Sequence, residues 1–238
     1  MSDKKTAIIT GAAGGIGAGL VEAFLKERYN IVATSLKATQ SLAPSPGLVL
    51  IDGDISKRET AVKTTEAAIT HFGTIDVLVN NAGIYRTKPF TEFTTEDFHA
   101  LVSINLLGFV YMTQLTVKQM LKQKSGNVVT ISASLADQPF AGENASVSMI
   151  TKGGLNTVTR SLAIEYAKEG IRFNAVAPGV VDTPLHKGDP KESLKTFQPM
   201  GKIVEVKDIV DAVLYLAQAG QVTGEILHVD GGAHAGRW

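Results

Sequence analysis

Short apolar runs alternate with longer stretches of helical period along nearly all of the chain, and that alternation leaves few architectures open. Runs at 6–10, 30–35, 48–51, 75–80, 126–132, 172–177 and 225–229 read as strands. Between them, helices are predicted near 15–28, 56–72, 95–123, 146–169 and 205–219. A strand that must travel through a helix before the next strand pairs parallel to it, and a parallel sheet needs both faces covered. The expected fold is therefore α/β: a doubly wound parallel sheet of about seven strands flanked by helices, in one domain over residues 1–238. Hydrophobic residues at 44% and charged residues at 19% suit a chain that buries a large core.

Local signals support the helices. Ser56 with Glu59 has the spacing of a capping box, and Thr94 precedes carboxylates at Glu96 and Asp97. Gly73 and Gly170 stand where helices should stop. Leu155, Val158, Leu162 and Tyr166 recur at helical steps and read as a core face. The rhythm breaks at 184–204, where Pro184, Gly188, Pro190, Pro199 and Gly201 surround one short helix-like piece. That stretch is expected to be a substrate lid, with a plain surface excursion as the alternative.

Charge and composition exclude several functions. Twenty-three basic residues balance twenty-three acidic ones, so no global field favours nucleic acid or an anionic membrane. The absence of cysteine excludes disulfides, thiolate metal sites and thiol catalysis, and fits a reducing compartment. The five histidines show no metal-ligand spacing, so no metal is expected. No apolar leader opens the chain and no run reads as a membrane span, which gives the expectation of a soluble, cytoplasmic protein without membrane or nucleic-acid partners.

The first predicted strand ends in Thr10-Gly11-Ala12-Ala13-Gly14-Gly15-Ile16-Gly17 and enters a helix. Glycines at such a turn let backbone approach a pyrophosphate, and the helix start offers free N–H groups and a positive dipole end. Further turns at Asp54-Ile55, Asn80-Asn81-Ala82-Gly83 and Pro178-Gly179 to Thr183 follow other strands, at the sheet edge where open α/β sheets bind ligands. There Asp54 can accept from an adenine amino group, Asn81 can fix a ribose and Thr183 can bond a carboxamide; the bland alternative for Asn80-Asn81 is a turn stabilised by asparagine side chains. At the end of the second strand stands Ser35-Leu36-Lys37, with no carboxylate. A hydroxyl and an ammonium suit a 2′-phosphate, which tilts the cofactor towards NADP(H) over NAD(H), unless Lys37 is an ordinary surface lysine.

Together with Asn105 and the closing Thr223-Gly224 to Asp230-Gly231-Gly232, these motifs resemble the short-chain dehydrogenase/reductase family over essentially the whole chain. The resemblance implies a Rossmann-type fold, a bound NAD or NADP, a homotetramer or homodimer, and hydride transfer between the nicotinamide and a small carbonyl or alcohol. It implies cofactor contacts from Gly11, Gly15, Ile16, Gly17, Ser35, Lys37, Asp54, Ile55, Asn81, Ala82, Gly83, Lys152, Pro178, Gly179 and Thr183. In that family a serine polarises the substrate oxygen, a tyrosine trades the proton, a lysine lowers the tyrosine pKa and an asparagine supports a water relay. Asn105 and Lys152 match. The serine position falls on Ala133, and a one-residue slip lets Ser134 serve. Where the tyrosine is expected, four residues before Lys152, the chain has Ser148.

A serine hydroxyl is no practical acid or base at neutral pH, whereas a phenol near 10 can be pulled towards neutrality. The leading expectation is a reductase whose proton comes from Lys152, through Ser148 or a bridging water. The alternative is a weak or inactive cofactor-binding pseudoenzyme, acting as a sensor or silent oligomer partner. Tyr85 and His186 are stand-in acids, and a Ser148–Lys152 hydrolytic dyad is a further reading. Phe140, Leu185, Phe197 and Met200 suggest an apolar substrate pocket or simply lid packing.

Overall fold

Seven parallel strands form one sheet in the computed structural model, which describes residues 4–236. They are β1 (Thr6–Thr10), β2 (Asn30–Ser35), β3 (Leu48–Asp52), β4 (Val77–Asn80), β5 (Gly126–Ile131), β6 (Ile171–Pro178) and β7 (Ile226–Val229). The order is β3-β2-β1-β4-β5-β6-β7, so the winding reverses between β1 and β4 and opens a crevice at their carboxyl ends. The helices are α1 (Gly15–Lys26), α2 (Ala38–Ser41), α3 (Arg58–Phe72), α4 (Thr95–Leu101), α5 (Gly108–Gln123), α6 (Ser146–Tyr166), α7 (Lys191–Lys195) and α8 (Val206–Gln218). Neighbouring β1 residues feed opposite cores: Ala7 and Ile9 pack with Leu20, Val213 and Leu216 of α1 and α8, while Ile8 packs with Ala61, Met112 and Met120 of α3 and α5. Burial on both faces is why the strands read as unbroken apolar runs.

Two expectations need correction. The helical stretch Thr95–Gln123 has a mean hydropathy of 1.5 over its most apolar window, so one segment does meet the length and composition of a membrane span. Here it is a core helix: Leu101, Phe109, Met112 and Met120 are buried within the protein. The Ser56 capping box does not form. Asp54 Oδ1 accepts the Ser56 N–H at 2.9 Å, drawing that residue into a turn, and α3 starts after Lys57 without a side-chain cap. Thr94 and Asp97 do form a capping box, and Gly73 and Gly170 take the left-handed conformation at φ 80° and 72°.

Between α4 and α5 the helix widens into a π turn, Val102–Leu107, which carries Asn105. Such widenings are rare and favour functional positions. Residues 184–204 hold the turn Pro184–His186 and α7, and fold back over the sheet edge with Leu194 and Gln198 buried. At the opposite edge, Arg172 donates to the carbonyls of Leu216, Ala217 and Val222 and closes the end of α8.

Candidate active site

At the carboxyl edge of the sheet the strand-end turns and the 184–204 segment enclose a cavity of about 1000 Å³. Gly11, Gly15, Ile16, Asn81, Ala82, Gly83, Ser134, Lys152, Pro178, Gly179 and Thr183 all line it, so the fold unites most of the residues selected from sequence. Gly17, Ser35, Lys37, Asp54, Ile55, Asn105 and Ser148 do not reach its wall.

The Gly-rich turn is built for close approach. A Cβ on Gly17 would lie 2.1 Å from the Gly11 carbonyl oxygen, and Gly11 itself has φ +64° against Ala82. The N-cap of α1 is Gly14, which has no side chain to satisfy the first N–H groups, and no acid stands in the first turn. Those free donors open towards the cavity, the donor set a pyrophosphate requires. Thr10 braces the cradle: its Oγ1 accepts from the N–H groups of Asn81 and Ala82, both at 3.0 Å. Asn81 Nδ2 donates back to the Thr10 and Gly11 carbonyls at 3.0 and 3.1 Å, so this amide ties two turns together. A nicotinamide dinucleotide therefore fits the residues present.

The adenine end is less enclosed. Lys37 is exposed and its N–H donates to Ser35 Oγ at 3.4 Å. Asp54 spends Oδ1 on Ser56, and Ile55 packs on Gly108 of α5. Sequence reasoning found no acid here, yet Asp52 at the end of β3 stands in register with Ser35. Both its oxygens accept from Thr39, whose hydrogen bonds hold the Asp52 carboxyl below its usual value.

At the reaction end, Lys152 Nζ donates to the Ile131 carbonyl at 2.9 Å, and burial pushes its pKa down to about 8. Asn105 holds the Ile84 backbone from both sides, accepting at 2.8 Å and donating at 3.0 Å, and donates to Thr151 Oγ1. Ser132 Oγ donates to Asn156 and is thereby committed, while Ser134 lines the wall beside it, as does Ser193 of the 184–204 segment.

The family sequence model described as enoyl-(acyl carrier protein) reductase matches residues 11–234. Glucose 1-dehydrogenase 2 of Bacillus subtilis is 34% identical over 96% of this chain and 94% of its own length. The chain belongs to the short-chain dehydrogenase/reductase family. Membership makes it an NAD(P)-dependent oxidoreductase with a Rossmann-type sheet. Among solved family structures, ElxO with NADP bound superposes at a TM-score of 0.90 with 29% identity, covering 98% of this chain and all of that one (100%). A 3-ketoacyl-(acyl-carrier-protein) reductase from Brucella melitensis complexed with NADH gives 0.91 with 30% identity, over 97% and 98% of the two chains.

Against that family pattern, the position of the missing phenol is filled from elsewhere. Ser148 is wholly buried; its Oγ donates to the Arg86 carbonyl at 2.7 Å and accepts the Arg86 N–H at 3.0 Å. The expected relay through Ser148 is thus corrected: the hydroxyl gives its only hydrogen to the Arg86 carbonyl and lies off the cavity. The same geometry removes the hydrolytic dyad, because Lys152 bonds Ile131 and not Ser148. Arg86 in turn joins Lys88 on the carboxylate of Asp97, fixing the 84–88 segment against α4. Tyr85 and His186 both line the cavity; His186 Nδ1 is bonded to Asp189 at 3.0 Å and the Tyr85 hydroxyl to Glu143. Glu143 escaped sequence reasoning, since nothing in a single chain shows that a loop carboxylate meets a tyrosine 58 positions away.

Proposed function

We propose that this protein is an NADP(H)-dependent reductase of small carbonyl compounds in which Lys152 itself supplies the proton. The observation that carries the reading is the Lys152 ammonium: it sits on the cavity wall, its pKa is lowered to about 8, and Ser148 is committed elsewhere. A bound nicotinamide supplies hydride to the substrate carbon, or takes it back in the reverse direction. The N-terminus of α1 with Gly11, Gly15 and Ile16 holds the pyrophosphate, Asn81 to Gly83 border the ribose, and Pro178, Gly179 and Thr183 frame the nicotinamide end. Ser134 donates to the substrate oxygen, and Lys152, directly or through one water, gives it a proton. Proton assistance of this kind is worth roughly 10²–10⁴-fold. A protonated donor near 8 serves reduction at neutral pH better than oxidation.

Lys37 and the Ser35 hydroxyl support preference for the 2′-phosphate, against the Asp52 carboxylate, which Thr39 holds in its ionised form and turns away by engaging both oxygens. Leu107 and Val110 on the long helix and Ile150 and Ile164 on α6 are exposed apolar side chains that a second copy of the chain could cover, so we also read the protein as a homodimer or homotetramer. The 184–204 segment acts as the lid.

Fluorescence titration with NADPH and NADH, followed by reduction assays on a panel of aldehydes and ketones, tests the reading. NADPH should bind the more tightly, and turnover should be lost in Lys152→Ala but survive Ser148→Ala and His186→Ala. Tight binding without turnover on any carbonyl would convert the assignment to a cofactor-binding pseudoenzyme. Absence of binding by either cofactor would overturn it.

A further inference from the structure

One hydrogen-bonded pair on the cavity wall has no part in the cofactor cradle or in proton supply. The Tyr85 hydroxyl donates to Glu143 Oε1, and both residues line the cavity that Lys152 and Ser134 share. Burial first, and then the adjacent Glu143, push the Tyr85 phenol well up, so it remains a donor throughout the working pH range. Among the described residues Glu143 Oε2 has no hydrogen-bond partner, which leaves one carboxylate oxygen free for a ligand. The other carboxylate on the wall, Asp189, holds His186 through Oδ2, and the Lys152 ammonium gives one of its three hydrogens to Ile131. Beside Glu143, Phe140 stacks on Phe197 of the lid, ring centroids 5.1 Å apart, and both rings contribute to the wall.

We propose that Glu143, oriented by Tyr85, is a specificity-determining residue that selects a polyhydroxylated carbonyl substrate, a ketose or hydroxyketone, over one bearing a carboxylate. The inference rests on the reading of the cavity as a carbonyl-reducing site. The chemistry is direct. A carboxylate oxygen accepts from one or two hydroxyl groups of a polyol chain, and the aromatic rings cover its C–H faces. A keto acid would bring a second anion towards Glu143, and like charges repel. A plain ketone of the same length leaves the Glu143 oxygen without a donor, and sites built around a hydroxyl discriminate against analogues lacking it.

The test is equilibrium binding by calorimetry or saturation-transfer NMR, in protein saturated with NADP⁺, using D-fructose, 2-hexanone and levulinate as probes. Fructose should bind roughly tenfold or more tightly than either other probe. Glu143→Gln should bring the fructose-to-levulinate ratio to within about threefold, by weakening fructose and strengthening levulinate. Tyr85→Phe should move the ratio the same way by a smaller factor, and both variants should keep wild-type NADP⁺ affinity as evidence of folding. Levulinate binding as tightly as fructose, a ratio unchanged in Glu143→Gln, or no saturable fructose binding would each overturn the proposal. Cofactor titration is run separately: if NADP⁺ fails to bind, the reductase reading falls, and the probe ratios measured on the free protein still decide the role of Glu143.

Discussion

Replacing Ser148 with alanine removes a hydroxyl that serves two backbone groups of Arg86 at once, donating at 2.7 Å and accepting at 3.0 Å. Ser148 is fully buried, and no other partner meets the Arg86 N–H or carbonyl among the described residues. A buried backbone group left unpaired costs about 1–3 kcal/mol. Because Arg86 is only half-buried and water can reach part of its backbone, the pair together should cost about 2–4 kcal/mol. For a domain of this size each kcal/mol moves the thermal midpoint by roughly 2–4 °C, so the variant should melt about 4–16 °C below wild type. Differential scanning calorimetry and urea titration read this without any knowledge of the substrate. The carbonyl-reduction rate, measured below the variant's melting range, should change by less than about threefold, far short of the 10²–10⁴ that a lost proton donor costs. A midpoint within about 1 °C of wild type, or a hundredfold loss of rate in a stable variant, would refute the structural role assigned to this serine.

Lys152 gives a pH signature: the rate of carbonyl reduction should fall as pH rises through about 8, where its ammonium loses the proton. Its folded pKa of about 8 lies below the ordinary 10.5, so the unfolded chain holds more protons in that window; cofactor-free protein should gain stability from pH 8 towards 10.5, and Lys152→Met should abolish the gain. Asp97 behaves oppositely. Lys88, the Thr94 N–H and Arg86 hold its carboxyl far below 3.8, so its contribution is complete above that value and lost as pH falls through the depressed folded one. Asp97→Asn should therefore melt below wild type at neutral pH, with the gap closing in acid denaturation experiments. Gly17→Ala should lose NADPH binding or soluble expression, because the new methyl would lie 2.1 Å from the Gly11 carbonyl, while Gly14→Ala, with open space around it, should fold normally by circular dichroism.

The sheet was legible because a strand buried on both faces has to be apolar throughout, as 7–9 and 31–33 are. The cofactor cradle was legible because its glycines answer to sterics that hold wherever a chain turns so tightly, as at Gly11 and Gly17. What stayed hidden depends on pairings that no local pattern encodes. Asp52 meets Ser35 only through the β2–β3 register, and Glu143 meets Tyr85 only through the loop that precedes α6. Ser148 stood out by identity, but its role is written in the backbone of Arg86, 62 positions away. The failed box at Ser56 shows two local signals in competition, with the nearer carboxylate of Asp54 winning.

The bond between Ser148 and Arg86 also sets what a larger side chain would meet at this position. Ser148 is wholly buried, and the segment that closes over it is held from its other side by Asp97. A tyrosine at 148 would forfeit the two bonds to the Arg86 backbone, so it would meet a penalty before it could offer a benefit. Room for a phenol there calls for the 84–88 segment to loosen, through a change at Arg86, Lys88 or Asp97. The serine thus works as a latch, tying the first turn of α6 to the segment that follows β4.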